Sequence, residues 1–196
     1  SDFFELDNAL NYAVIPVPDQ GPPRTSGVRD ETYGRAADYI LARTGVTKGY
    51  CVVLGFNEGR LACELARRSE LILLGVDADK ERVRRVRTRL RQAGWYGSRI
   101  TLHHVDSFRR LPLPPAFANL VVSEELFEGG EFPGAAEQVV ALLQPATGVA
   151  CLGYGPAVAA DSGRERLTRW LRSTAHPGEI TESAAGAWVS LRPEFP

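Results

Sequence analysis

Short apolar runs alternate with amphipathic stretches along most of the chain. The runs at 51–54, 71–76, 100–105, 119–123 and 149–153 are rich in β-branched residues and too short for helices, which predicts buried strands. Between them, apolar residues recur at helical spacing. Strands that alternate with helices predict a parallel sheet joined by right-handed crossovers.

The two ends of this pattern add further elements. An amphipathic stretch from Asp30 to Gly45 predicts a helix before the first strand, and Asp79 and Gly94 are placed to cap and stop another. Near the C-terminus, a helix is predicted at 164–172, followed by two extended segments around 180–181 and 188–191. The pair forms a hairpin through 183–186. The predicted fold class is α/β: a doubly wound, mostly parallel seven-stranded sheet with an antiparallel C-terminal hairpin.

The turn after the first strand carries the candidate chemistry. Gly55 and Gly59 allow a sharp turn in which a ligand lies against the main chain and the N–H groups of a helix start. The second strand ends on Asp77, whose carboxylate can accept both hydroxyls of a ribose. A dinucleotide fingerprint requires a third glycine where this chain has Arg60. The spacing is instead G-x-N-x-G, with Asn57 in the middle, and a βα turn without any ligand remains an alternative.

Polar residues also follow the third and fourth strands. Asp106 and Ser107 come after the third, and Ser123, Glu124 and Glu125 come at the end of the fourth. Because substrates of such sheets bind at the carboxyl ends of the strands, Glu124 is the candidate general base, with a solvated loop acid or the start of a helix as the alternative. The adjacent His103 and His104 point to opposite faces and cannot enter one site.

Composition narrows the classes of function. The net charge of −1 gives no global attraction to nucleic acid or to membranes, and no apolar run approaches the length of a bilayer span. The third predicted helix carries six arginines, which could bind RNA but are expected to form a solvated face. The three cysteines lack metal-ligand spacing and are expected to be core residues, so no metal site is predicted.

The N-terminal segment differs from the rest of the chain. Residues 1–29 are rich in proline and glycine and are predicted to form a linker or a strap across the surface. We expect a single domain over 30–192 and a short tail at 193–196. The sequence contains no methionine, which indicates a piece of a longer polypeptide.

The order of these motifs resembles that of class I methyltransferases that use S-adenosylmethionine. Gly55–Gly59 resembles the first motif, 75–77 the second, 117–122 the F-D-x-V segment and 143–148 the L-x-P-G-G turn. The resemblance implies that Asp77 binds the ribose and Asp106 the adenine amino group of S-adenosylmethionine. The implied cofactor-binding residues are Gly55, Phe56, Asn57, Gly59, Asp77, Ala78, Asp106, Ser107 and Ser123.

A narrower likeness, carried by 94–97 and 118–122, is to the methyltransferase-like domain of large bacterial proteins with pyrroloquinoline-quinone-type β-propeller repeats. Two positions depart from the family pattern. The family places an acid that holds the methionine ammonium two residues before the first glycine, where this chain has Val53. Asn57 replaces the middle glycine, although asparagine tolerates the left-handed backbone that such a turn needs.

Three functions therefore remain open. The first is an S-adenosylmethionine-dependent methyltransferase domain acting on a small molecule or on a protein, which includes other domains of a parent polypeptide. The second is a methyltransferase-like module that has lost catalysis and serves binding or structure. The third, an RNA-binding methylase, rests only on the arginine helix, and nucleic-acid and membrane partners are not expected.

Overall fold

A computed structural model of the protein describes residues 28–109 and 111–194. One seven-stranded sheet runs through this part of the chain in the order β3-β2-β1-β4-β5-β7-β6. The strands are β1 Lys48–Leu54, β2 Glu70–Asp77, β3 Ile100–His104, β4 Leu120–Val122, β5 Val149–Tyr154, β6 Gly178–Ser183 and β7 Gly186–Leu191. β1 to β5 pair in parallel, and β7 pairs antiparallel with both β5 and β6. The predicted fold class is confirmed.

Within the described residues, six helices accompany the strands. They are α1 Val28–Thr44, α2 Arg60–Arg68, α3 Lys80–Gln92, α4 Glu124–Phe127, α5 Ala136–Leu142 and α6 Ala160–Leu171. α1 begins two residues before the predicted start, and residues 1–27, on which the prediction of a linker or strap falls, lie outside the described residues. The predicted cap is confirmed, because the side chain of Asp79 accepts the backbone N–H of Arg82 at 2.9 Å. None of the helices in the described ranges has the length and apolar character needed to cross a membrane.

The sheet is buried by helices on both faces. Alternate residues of β1 point to opposite sides, so Cys51 and Val53 pack with α1, α2 and α3, whereas Val52 and Leu54 pack with α5 and α6. Parallel strands covered on both faces read as continuous apolar runs, which explains the pattern in the sequence. All three cysteines are unpaired, and Cys51 and Cys151 are fully buried.

The connection from β3 to β4 leaves part of one face without a helix. The described residues between these strands form turns and loops, and Phe108, Leu111, Leu113 and Phe117 pack partly buried against the second face. Tyr50 and Ile72, which are partners in the register of β1 and β2, stay 48% and 43% exposed on that side.

Candidate active site at the carboxyl edge of the sheet

The turn between β1 and α2 has the left-handed backbone that its residue types permit. Gly55, Asn57 and Gly59 have φ angles of 63°, 48° and 72°. Only glycine, and less readily asparagine, adopts such angles without strain, so the G-x-N-x-G spacing is needed for this turn. The N–H groups of Gly55 and Phe56 donate to the carbonyl of Val76 at 3.0 and 3.2 Å, which holds the turn beside the end of β2.

The side chain of Phe56 packs against a glycine of the turn and a glycine of β2. Its side chain is fully buried, and it lies so close to two glycines that a Cβ on Gly59 would be 2.2 Å from Phe56 Cε1 and one on Gly75 would be 2.1 Å from Phe56 Cδ2. Both glycines are therefore required by the packing of one aromatic ring. With its ring in the core, Phe56 can meet a ligand only through its backbone.

Asp77 is at the predicted position, but its carboxylate is already engaged. The side chain is 1% exposed, and Oδ2 accepts the backbone N–H of Asn57 at 2.9 Å, which joins the two motifs that the sequence singled out. Oδ1 accepts the backbone N–H of Asp79 at 2.8 Å and the Nη2 of Arg82 at 2.9 Å. The sequence pattern does not distinguish Arg82 from the other arginines of its helix, which are predicted to form a solvated face.

Glu124 closes the amino end of α2. It is fully buried, with Oε1 accepting the backbone N–H of Arg60 at 3.0 Å and Oε2 that of Leu61 at 2.9 Å. The N-cap residue of this helix, Gly59, has no side chain to do so. The expectation that the N–H groups of this helix start are available to a ligand is therefore wrong for these two residues. A phosphate-binding site of the dinucleotide type would need the same groups.

Burial raises the pKa of Glu124 to about 8, and the nearby Glu128 acts in the same direction, while the N–H groups of Arg60 and Leu61 act against it. A carboxyl that takes up and releases its proton near neutral pH matches the requirement for a general base. Both of its oxygens, however, are held by the backbone of α2. The role of Glu124 as general base stays a prediction.

The segment after β4 packs directly on the glycine turn. The N–H of Glu125 donates to the carbonyl of Gly55 at 2.9 Å, and a Cβ on Gly55 would be 2.3 Å from the Cβ of Glu125. Ser123 is buried and caps α4, because its Oγ accepts the N–H of Leu126 at 3.1 Å. α4 begins at Glu124, as the alternative of a helix start at this residue predicted, although its four residues are too few to show a helical period.

A polar network connects this turn to α1. Glu128 accepts a hydrogen bond from the hydroxyl of Tyr33 on one oxygen and from Asn57 Nδ2, at 2.9 Å, on the other. Burial and the hydrogen bond to Glu128 raise the pKa of Tyr33, so the phenol keeps its proton. The guanidinium of Arg60 lies 5.8 Å from the centre of the Tyr33 ring. The sequence pattern did not indicate Tyr33 or Glu128 as site residues. For Tyr33 the reason is that a tyrosine on an apolar helix face predicts core packing.

Beside this network lies a cavity of about 380 Å³. It is bounded by the first turns of α1, the end of α4 and the loop after β5, and its lining residues are Thr32, Tyr33, Phe127, Glu128, Gly155, Pro156 and Ala157. Phe127 and Tyr33 supply an aromatic wall, with ring centres 5.3 Å apart, and Glu128 supplies a carboxylate. Its position beyond β4 and β5 is where substrates of open α/β sheets bind.

The remaining predicted residues lie near the end of β3 and at the start of α3. The N–H of Val105 donates to the carbonyl of Asp77 at 3.0 Å, so Asp106 and Ser107 follow directly beside the end of β2, and both are exposed. Ala78 is exposed as well. The structure thus brings Gly55, Asn57, Gly59 and Asp77 together and places Asp106 at the same edge of the sheet. Whether these residues bind a cofactor stays a prediction.

The arginines of α3 have partners within the protein. Arg85 and Arg89 bind the carboxylate of Glu58, at 2.6 and 3.0 Å, and Arg82 binds Asp77. The other contacts are Arg84 with Glu81, Arg87 with the carbonyl of Leu102, and Arg91 with the ring of Tyr96. These pairings agree with a solvated face that is balanced by acids.

Comparison with known proteins identifies the class to which this architecture belongs. Residues 52–146, slightly less than half of the chain, match the family model described as a methyltransferase domain. No curated protein sequence matches the chain significantly.

Several solved structures have the same fold. An S-adenosyl-L-methionine-dependent methyltransferase candidate from Methanococcus maripaludis matches with a TM-score of 0.72 and 20% identity, over 85% of this chain and 87% of that one. A SAM-dependent methyltransferase from Aquifex aeolicus gives 0.62 and 12%, over 79% and 88%. The [4+2]-cyclase SpnF gives 0.60 and 19%, over 78% and 62%.

The fold is therefore that of the S-adenosylmethionine-dependent methyltransferases, as the motifs indicated. The matched segment runs from Val52 in β1 to the turn after α5. It contains the glycine turn, Asp77, Asp106 and the segment after β4. The comparisons give no indication of β-propeller repeats, so the narrower likeness stays a prediction.

Proposed function

We propose that this domain binds S-adenosylmethionine at the carboxyl edge of the sheet and transfers its methyl group to an acceptor. The observation that carries the proposal is the hydrogen bond from the N–H of Asn57 to Asp77 Oδ2, within the segment that matches the methyltransferase family. It unites a glycine turn and a strand-end carboxylate, which are the two parts that a nucleoside ligand requires.

The residues present fit such a ligand in two respects. Among the described residues, Asp77 Oδ2 accepts one hydrogen bond, so it retains capacity for a ribose hydroxyl. Asn57 Oδ1 is a buried acceptor with no hydrogen-bond partner among the described residues, which suits a ligand that brings a donor. The main chain of the turn between Gly55 and Gly59 would lie against the ligand, and Asp106 would face its adenine end.

When bound, S-adenosylmethionine supplies a methyl group on a sulfonium, an activated leaving group. The protein then has to orient an acceptor and keep water away, rather than to provide strong acid or base catalysis. The cavity beside Tyr33 and Glu128 has the size and the mixed aromatic and acidic lining to hold a small molecule or an inserted side chain of a protein. Glu128 could accept the proton that a nucleophile loses.

A second candidate is a domain of this fold that binds a partner or supports a larger protein without catalysis. It is favoured by the ion pair of Arg82 with Asp77 and by Glu124, which together occupy groups that a cofactor would use. SpnF, a [4+2]-cyclase with this fold, illustrates that the fold does not fix the reaction. In this candidate the loss of the family acid at Val53 is part of the same change.

Isothermal titration of the purified domain with S-adenosylmethionine and S-adenosylhomocysteine distinguishes the two. The proposal predicts binding that Asp77→Asn weakens by at least about tenfold, which corresponds to one hydrogen bond to a charged group. Glu165→Gln, on the exposed part of α6, is the matched control and leaves binding unchanged. Absence of heat and of any thermal shift at millimolar ligand would reject the cofactor site and favour the second candidate.

A further inference from the structure

Asn57 carries a buried acceptor oxygen within the glycine turn of the candidate site. The residue is 7% exposed, and its Oδ1 has no hydrogen-bond partner among the described residues. The orientation of the amide is fixed by Glu128, because only the Nδ2 group can donate to that carboxylate, at 2.9 Å. Oδ1 is therefore the amide atom that lacks a hydrogen-bond donor. Buried acceptors without a donor are uncommon in folded proteins, so this one calls for an explanation.

Glu128 places a carboxylate beside the amide of Asn57. Its carboxylate accepts from both Asn57 Nδ2 and the Tyr33 hydroxyl, and it also lines the cavity of about 380 Å³. Glu124 is a second acid close by, because repulsion from Glu128 is one of the causes that raise the pKa of Glu124. Arg60 is the cation that faces the pair. Because burial raises the pKa of Glu124 to about 8 and both of its oxygens are held by α2, the carboxylate of Glu128 is the acceptor at this position that a positively charged group can use.

The position that the family pattern reserves for an ammonium-binding acid is not polar in this chain. Val53 is fully buried and packs in the core formed with α1, α2 and α3. A ligand with an amino-acid end would bury an ammonium at this edge of the sheet, and an ammonium needs several acceptors because it carries three donors. The acceptors must therefore come from elsewhere in the chain.

We propose that Asn57 Oδ1 and the Glu128 carboxylate together bind the ammonium of the ligand's amino-acid end, in place of an acid at Val53. This inference rests on the proposed function, since it assumes that the domain binds S-adenosylmethionine. The asparagine in the glycine turn is then a specificity-determining residue and not only a tolerated substitute for glycine.

The test compares two ligands that differ in the amino-acid end. S-adenosylhomocysteine carries the ammonium, whereas 5′-methylthioadenosine has the same nucleoside and lacks it. The dissociation constants of both are measured by calorimetry for the wild-type domain, for Asn57→Gly and for Glu128→Gln. Glycine suits the φ of 48° at position 57, so the first variant removes the amide without straining the turn. Glu131→Gln, an exposed acid three residues beyond Glu128, is the control.

We expect each of the two variants to weaken S-adenosylhomocysteine binding by roughly ten- to a hundredfold, the range for a hydrogen bond to a charged group. Binding of 5′-methylthioadenosine stays within about twofold of the wild type in all variants. Asn57→Asp, which keeps an acceptor and adds charge, retains the preference for the ammonium-bearing ligand. Thermal unfolding of every variant shows whether it is folded.

The outcomes separate the two proposals. If both ligands bind the wild type and Asn57→Gly keeps the full preference for S-adenosylhomocysteine, the ammonium site is overturned while the cofactor site stands. Equal affinity of the wild type for the two ligands overturns it as well. If neither ligand binds the wild type, the proposed function itself fails, and the inference fails with it.

Discussion

The guanidinium of Arg82 binds the carboxylate of Asp77, with Nη2 2.9 Å from Oδ1, at the point where a nucleoside ribose is expected. The two residues are five positions apart, one at the end of β2 and the other in the first turn of α3. Arg82 Nη2 also lies 4.0 Å from Glu125 Oε2, so the guanidinium has a second acid to which it can turn. If a nucleoside binds at Asp77, the guanidinium of Arg82 competes with its ribose for Oδ1.

Removal of this competitor is expected to strengthen nucleoside binding. Arg82→Gln frees one acceptor on Asp77 and should lower the dissociation constant of S-adenosylhomocysteine about three- to tenfold, the equivalent of one ordinary hydrogen bond. Calorimetric titration measures the change. Arg84→Gln, whose arginine forms an exposed pair with Glu81, is the control and should have no effect. Weaker binding by the Arg82 variant would show that the guanidinium supports the site.

The closeness of Gly59 to Phe56 predicts a steric cost that can be separated from backbone strain. Gly59 and Gly45 have φ angles of 72° and 71°, but a Cβ meets Phe56 at 2.2 Å at the first position and nothing within 4 Å at the second. Gly45→Ala should cost about 1–2 kcal/mol of unfolding free energy from the left-handed backbone alone. Gly59→Ala should cost about 1–3 kcal/mol more, because the ring must move. Urea unfolding of both variants tests this, and equal losses would contradict it.

A smaller side chain at position 56 should restore stability that a substitution of Gly75 removes. Gly75 lies on a strand with ordinary backbone angles, so Gly75→Ala should destabilise the protein only through its overlap with Phe56 Cδ2 and Leu102 Cδ1. Phe56→Leu removes ring atoms from this space. The double variant should therefore recover part of the stability that Gly75→Ala loses, and the double-mutant cycle should give a coupling of about 1 kcal/mol or more. Additive losses would show that the ring is not the obstacle.

The buried carboxyl of Glu124 predicts a dependence of stability on pH. Its pKa is raised from 4.5 to about 8, so between these values the folded state holds a proton that the unfolded state has released. The contribution of this group is full below about pH 4.5 and is lost as pH rises toward 8, by up to about 1.4 kcal/mol per pH unit. Denaturant unfolding at pH 5, 6, 7 and 8 measures it.

Glu124→Gln is the comparison for that measurement. Glutamine does not titrate, so the unfolding free energy of this variant should change less between pH 5 and 8 than that of the wild type. The variant loses one acceptor for the backbone of α2 and should be less stable at low pH by about 1–3 kcal/mol. Glu165→Gln, an exposed acid on α6, should follow the wild-type profile. Parallel profiles for wild type and Glu124→Gln would refute the assignment.

Most of the architecture follows from local patterns in the sequence. The apolar runs gave the five parallel strands, the turn residues at 183–186 gave the final hairpin, and Asp79 gave the start of α3. The sequence indicated α4 only as an alternative reading of Glu124, since four residues carry no period, and the predicted starts of α1, β1 and α6 lie two to four residues late. Element bounds depend on capping and pairing that the flanking sequence specifies only weakly.

The sequence by itself determined the fold class and the residue types of the glycine turn, because strand burial and left-handed backbone each restrict which residues can occupy a position. Only the tertiary structure decided how the acids are used. Glu124 caps α2, Arg82 covers Asp77, and Glu128 joins Tyr33 to Asn57 across separations of 95 and 71 residues. Such contacts form between elements that are distant in the chain, so their partners are chosen by packing and not by spacing.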